Sequence, residues 1–143
     1  MSVHCRALIV LLLASPVLAA WESGASEQER ANVAEQGRAL YEIYCQSCHG
    51  ADGDGKGAPA ESPTPPPDLT RLRSGDGSFP AQGIHRAIDG RERVAGHQIR
   101  KMPIWGLNFQ QLDRDTDQED EVRRKIQRIV AYLESIQSSK DED

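Results

Sequence analysis

Cys45-Gln46-Ser47-Cys48-His49 decides how this 143-residue chain is read. A C-x-x-C-H run is the sequence pattern of covalent c-type haem attachment. The spacing has a physical reason. Two cysteines three positions apart lie on one face of a helical turn, so both sulfurs can reach the two vinyl groups on one edge of a porphyrin. The histidine beside the second cysteine then stands against the iron as its proximal ligand. Other chemistries also use such a pair. A thioredoxin-like redox couple needs a strand–helix setting, but the stretch before Cys45 has helical rather than strand character. A structural zinc site needs two further ligands at finger-like spacing, and only the isolated His85 and His97 follow. A plain Cys45–Cys48 disulfide is the simplest alternative. Haem attachment is favoured because Met102 and an export leader agree with it.

The leader occupies residues 1–20. Arg6 precedes the unbroken apolar run Ala7 to Leu13, and small residues close the stretch at Ala19 and Ala20. That order is the pattern of a cleavable secretory signal peptide. The apolar run is shorter than the ~20 residues that span a bilayer. Cys5 lies before the run, so it is no lipoprotein cysteine and leaves with the leader. An oxidising bacterial periplasm is the expected destination. Beyond the leader, residues 21–28 are expected to be a flexible lead-in, 29–137 a single domain and 138–143 a disordered tail. The net charge of −5 sits mainly in acidic flanks around a nearly neutral middle. Nothing resembles the basic footprint of a nucleic-acid-binding protein.

Two helices stand out. Ala34, Gly37, Leu40, Tyr41 and Tyr44 share one face of a first helix expected from about Glu29 to Tyr44. Val122, Ile126, Ile129, Val130, Leu133 and Ile136 form the apolar stripe of a last helix from about Gln118 to Ile136. Thr116 and Glu119 fit a capping box before it, and Gln137 to Asp143 reads as frayed. Between these helices, residues 50–83 are rich in glycine and proline. So long an irregular stretch is unusual in a compact domain, unless it wraps an apolar plate such as a porphyrin. Only a short helix at about Ala81 to Asp89 and a turn near Pro103 to Leu107 interrupt it. Without haem the chain is expected to be largely unfolded, since its own apolar content is low.

Met102 is the only methionine beyond the leader and lies in Lys101-Met102-Pro103-Ile104-Trp105-Gly106. A soft thioether suits haem iron as a second axial ligand, and Pro103 restricts Met102 to extended conformations. A gap-filling core methionine is the plainer alternative. His85 and His97 are competing ligands, each read as a solvated surface histidine. Arg71, Arg73, Arg91, Arg93, Arg100 and Lys101 are candidates to neutralise haem propionates, and the Trp105 indole could donate to one. Asp52-Gly53-Asp54-Gly55-Lys56-Gly57 begins like a calcium loop but fails at Lys56 and at Pro63, where a chelating glutamate belongs. Nor is it a phosphate loop, since no G-K-[ST] ending follows.

These residues together resemble the small bacterial class I cytochromes c. The resemblance rests on Cys45–Gly50, Pro65-Pro66-Pro67-Asp68-Leu69, Ile88-Asp89-Gly90, Met102–Gly106 and the final amphipathic helix. It departs from that pattern in the long loop from Gly53 to Pro67 and in an apparent insertion from Asp113 to Glu121. It implies an all-α fold with the N- and C-terminal helices packed near one covalently bound haem c, among long irregular loops. Gly37 would permit the helices to cross closely, with Tyr41 and Tyr132 as aromatic neighbours. The implied cofactor site is Cys45, Cys48, His49, Met102, Pro67 and Trp105, with His49 and Met102 on the iron and the Pro67 carbonyl accepting from His49. The implied function is that of a periplasmic mono-haem electron carrier with no catalytic residue. Its partners would be an oxidase, reductase or dehydrogenase. It would be a monomer that meets the membrane only through those partners. A dedicated haem subunit or partner of an oxidase or dehydrogenase is the alternative. A haem sensor or peroxidase would require that Met102 not bind the iron.

Overall fold

The structure, a computed structural model, describes residues 17–57, 65–92, 102–112 and 118–138. Its helices are α1 (Val17–Tyr44), α2 (Gln46–His49), α3 (Ala81–Asp89), α4 (Trp105–Leu112) and α5 (Gln118–Ser135), with a 3₁₀ turn at Leu69–Arg71. No strand occurs among the described residues.

The organising contact is α1 against α5, and α3 and α4 pack on α5 beside it. Tyr41 is fully buried on α1, and Val122, Ile126, Ile129 and Leu133 are buried on α5. These are the positions that 3.6-residue periodicity marks as apolar faces. Gly37 explains how close the two helices come. A Cβ there would overlap the Arg128 carbonyl and lie 2.9 Å from the Tyr132 Cβ. Tyr41 and Tyr132 meet one turn further on, with ring centroids 5.1 Å apart.

Three elements differ from expectation. The first helix starts at Val17 rather than near Glu29, so the lead-in is helical. No proline follows Val17, and alanine, glutamate, glutamine and arginine make up about half of the helix; Ser23-Gly24 and Ser26 are poor helix formers in its added turns. The turn expected near Pro103 is a helix of two turns. Trp105 and Phe109 stack at 5.4 Å on α4, and both meet the edge of Tyr44 on α1. Tertiary aromatic packing therefore stabilises a helix whose own pattern is short. Of the end expected to fray, Gln137 and Ser138 are held, and residues 139–143 lie outside the described residues. The Gln137 side chain accepts from Leu72 N at 2.8 Å and donates to the carbonyls of Leu69 and Leu133, while Ser138 N donates to Thr70 O.

At the start of α5, Glu119, Asp120 and Glu121 complement the helix dipole. Thr116 lies outside the described residues. The Glu119 carboxylate accepts from Arg91 and Gln110.

Candidate haem-binding site

The attachment run is an almost unbroken extension of α1. Cys45 N still donates to Tyr41 O at 2.8 Å, and His49 N to Cys45 O at 2.9 Å. A single distortion at Cys45 (φ −119°, ψ −37°) separates the two helices. Cys45 is buried and Cys48 exposed, and no disulfide joins them. Burial, helped by the nearby Cys48, pushes the Cys45 thiol up to about 12, so it is protonated at neutral pH.

His49 is buried at the end of α2. Its Nδ1 lies 3.4 Å from the Pro67 carbonyl oxygen, a long contact for a hydrogen bond. With the proton on Nδ1, the imidazole donates to that oxygen and leaves Nε2 as the basic nitrogen. The loop after His49 is folded back to make this arrangement. Gly55 N donates to His49 O at 2.9 Å, and Leu69 N to Gly53 O at 2.6 Å. Gly55 has φ 79°, and a Cβ there would stand 2.7 Å from Pro66 O; only glycine allows so close a return. The buried Tyr41 hydroxyl donates to Gly50 O at 2.6 Å and ties the loop to the helix crossing. Desolvation raises the Tyr41 phenol above its usual range, which keeps it a donor. On the far side, Asp68 caps the 3₁₀ turn by accepting from Thr70 N at 2.8 Å.

Met102 is half-buried and packs against the core. Trp105, three residues later, meets Tyr44 with centroids 5.4 Å apart. Tyr44 immediately precedes Cys45. The aromatic contact therefore brings the Met102–Trp105 segment to the same end of the molecule as Cys45–His49. Two thiols, one imidazole and one thioether on adjoining segments form a donor set that fits a haem and its iron. Among the described residues, no group of three or more His, Cys, Asp or Glu side chains could cage a metal ion. Asp54 pairs with Lys56, 2.8 Å away.

Other candidates fall differently. His97, Arg93, Arg100 and Lys101 lie outside the described residues. His85 is not a solvated surface histidine. The packing of α3 on α5 sets it, half-buried, in a cleft with Gln82, Arg86, Gln127 and Val130, and its Nε2 is buried with no hydrogen-bond partner among the described residues. Arg91 is paired with Asp89 and Glu119. Sequence reasoning missed the Tyr41–Gly50 hydrogen bond and the Gln137 tether. Both join segments whose proximity no spacing announces.

The family described as cytochrome c oxidase, cbb3-type, subunit III matches residues 31–133 of this chain. No curated protein and no solved structure matches it.

Proposed function

We propose that this chain, which belongs to the family described as cytochrome c oxidase, cbb3-type, subunit III, is a periplasmic mono-haem cytochrome carrying single electrons between redox proteins. Membership makes it a small class I cytochrome c with a haem-based electron-transfer role. The observation that carries the finer reading is the placement of His49: buried beside Cys45 and Cys48, its Nδ1 facing the Pro67 carbonyl. Cys45 and Cys48 would hold the haem by thioethers, with His49 and Met102 as axial ligands. When bound, the haem supplies an iron that cycles between ferric and ferrous states. The Pro67 carbonyl fixes the orientation of His49 and increases its basicity. Met102 brings a soft sulfur, which favours the reduced state over a second imidazole. Two protein ligands leave no open position for a substrate, so the reading is a carrier and not an enzyme. Cys48, exposed at the attachment turn, marks the edge where a partner would approach.

Visible absorption spectra of the purified protein test this. The ferric form should show a weak far-red band from sulfur ligation, and Met102→Ala should abolish it and let carbon monoxide bind the ferrous form. A parent protein lacking the band and binding carbon monoxide as readily as the variant would overturn the assignment.

The family description names an oxidase subunit, which favours a second reading: a dedicated haem subunit or partner of a membrane oxidase. Purification as a free monomer that reduces several oxidases at similar rates would count against it.

A further inference from the structure

We propose that Arg91 is a positioning residue: with Asp89 and Glu119 it forms a clamp that seats the Met102–Gly106 segment and so governs how readily Met102 leaves the iron. The proposal rests on the reading of Met102 as an axial ligand.

The clamp joins three helices. Arg91 Nε donates to Asp89 Oδ1 and Nη2 to Asp89 Oδ2, each at 2.7 Å, at the end of α3. Its Nη1 and Nη2 reach Glu119 Oε2 and Oε1 on α5 at 2.7 and 2.8 Å. Gln110 of α4 donates to the same Glu119 carboxylate at 3.2 Å. A guanidinium bound bidentately on two sides has a single orientation. The Arg91 and Asp89 side chains are 25% and 16% exposed, so this pair is less screened than an ordinary surface ion pair.

The clamp bears directly on the segment that follows Met102. Gly106 is buried. A Cβ on it would collide with Arg91 Nε and Asp89 Oδ1 and come within 2.9 Å of Arg91 Cδ. The α4 backbone therefore lies flat on the clamped pair. A Cβ placed on Gly90, between Asp89 and Arg91, would stand 3.4 Å from the Ile104 Cα, ordinary van der Waals contact, so this turn lies beside Ile104. Ile104 and Gly106 are thus both held, and Pro103 stiffens the short link back to Met102. When the clamp is intact, Met102 is presented in one place. Breaking it frees the segment to swing, so the open form becomes more populated and external ligands bind better in proportion.

The test is imidazole binding to the ferric holoprotein, followed with the far-red band and the reduction potential. Arg91→Met and the exposed Glu119→Gln should each raise imidazole affinity, by about tenfold for Arg91→Met if the clamp contributes ~1.4 kcal/mol to closure. Both should weaken the far-red band and lower the potential, while far-UV circular dichroism stays that of the parent. Arg91→Lys, which keeps charge but loses the fork, should recover only part of the effect. Arg38→Met, which breaks exposed ion pairs on α1, should leave imidazole affinity unchanged. Arg91 and Glu119 variants equal to the parent in affinity and band would overturn the clamp alone. A parent with no far-red band would overturn the Met102 assignment, and the clamp with it.

Discussion

His49 depends on side chains that never touch a metal. The Tyr41 hydroxyl, fully buried, is the donor to Gly50 O and anchors the loop that returns to Pro67. Tyr41→Phe keeps the ring packing on Tyr132 but leaves a buried carbonyl without its donor. The expected cost is about 1–3 kcal/mol in the denaturant unfolding of the holoprotein, with faster amide exchange at Gly55. The residues of this site were unevenly legible. Cys45, Cys48 and His49 stand out through their spacing, and Met102 and the leader were needed to favour haem attachment over the other uses of such a pair. The partner of His49, the Pro67 carbonyl, could be named only through family resemblance, since a backbone oxygen carries no sequence signature. His85 was misread because a polar residue with charged neighbours looks solvated until α5 is laid over it.

The α5 helix illustrates how much periodicity predicts and where it stops. Its apolar stripe predicted the buried set from Val122 to Leu133, and the small residue at Gly37 marked where α1 crosses it. The end of α5 was not legible, because the Gln137 amide works by spanning to residues far off in sequence. It caps the Leu133 carbonyl and holds Leu69 and Leu72 of the 3₁₀ segment beyond Pro67. Gln137→Ala should therefore loosen that segment more than the helix: protection of the Leu72 amide against hydrogen exchange should fall, while that of Ile129 on α5 stays near the parent value. Loss of about 1–2 kcal/mol in global stability should accompany it. Equal protection of Leu72 in both proteins would show that the tether carries no load.

Haem dependence and acid sensitivity belong to the protein as an entire fold. Among the described residues the buried hydrophobic set lies at the α1–α5 crossing, at Cys45 and on the nearby faces of α3 and α4, a small core against the entropy of ordering long loops. Cys45→Ser/Cys48→Ser protein, exported without attached haem, should show largely unfolded circular dichroism; native-like helicity would refute this. On the acid side, the Arg91 hydrogen bonds hold the Asp89 carboxyl below the usual carboxylate range, against the opposing effect of burial. A carboxyl depressed in the folded state contributes stability above its unfolded pKa of about 3.9 and loses it as pH falls through the folded value. Denaturant midpoints should therefore drop on acidification below about pH 4, and Asp89→Asn should flatten that limb. From the order of residues alone came the cytochrome c class, the attachment turn, the last helix, the part of the first from Glu29 onward and their buried faces, since each is a local pattern read within a few turns of chain. Packing alone settled the length of α4, the half-burial of His85, the reach of Gln137 and the engagement of Arg91, because each depends on which distant segment arrives beside it.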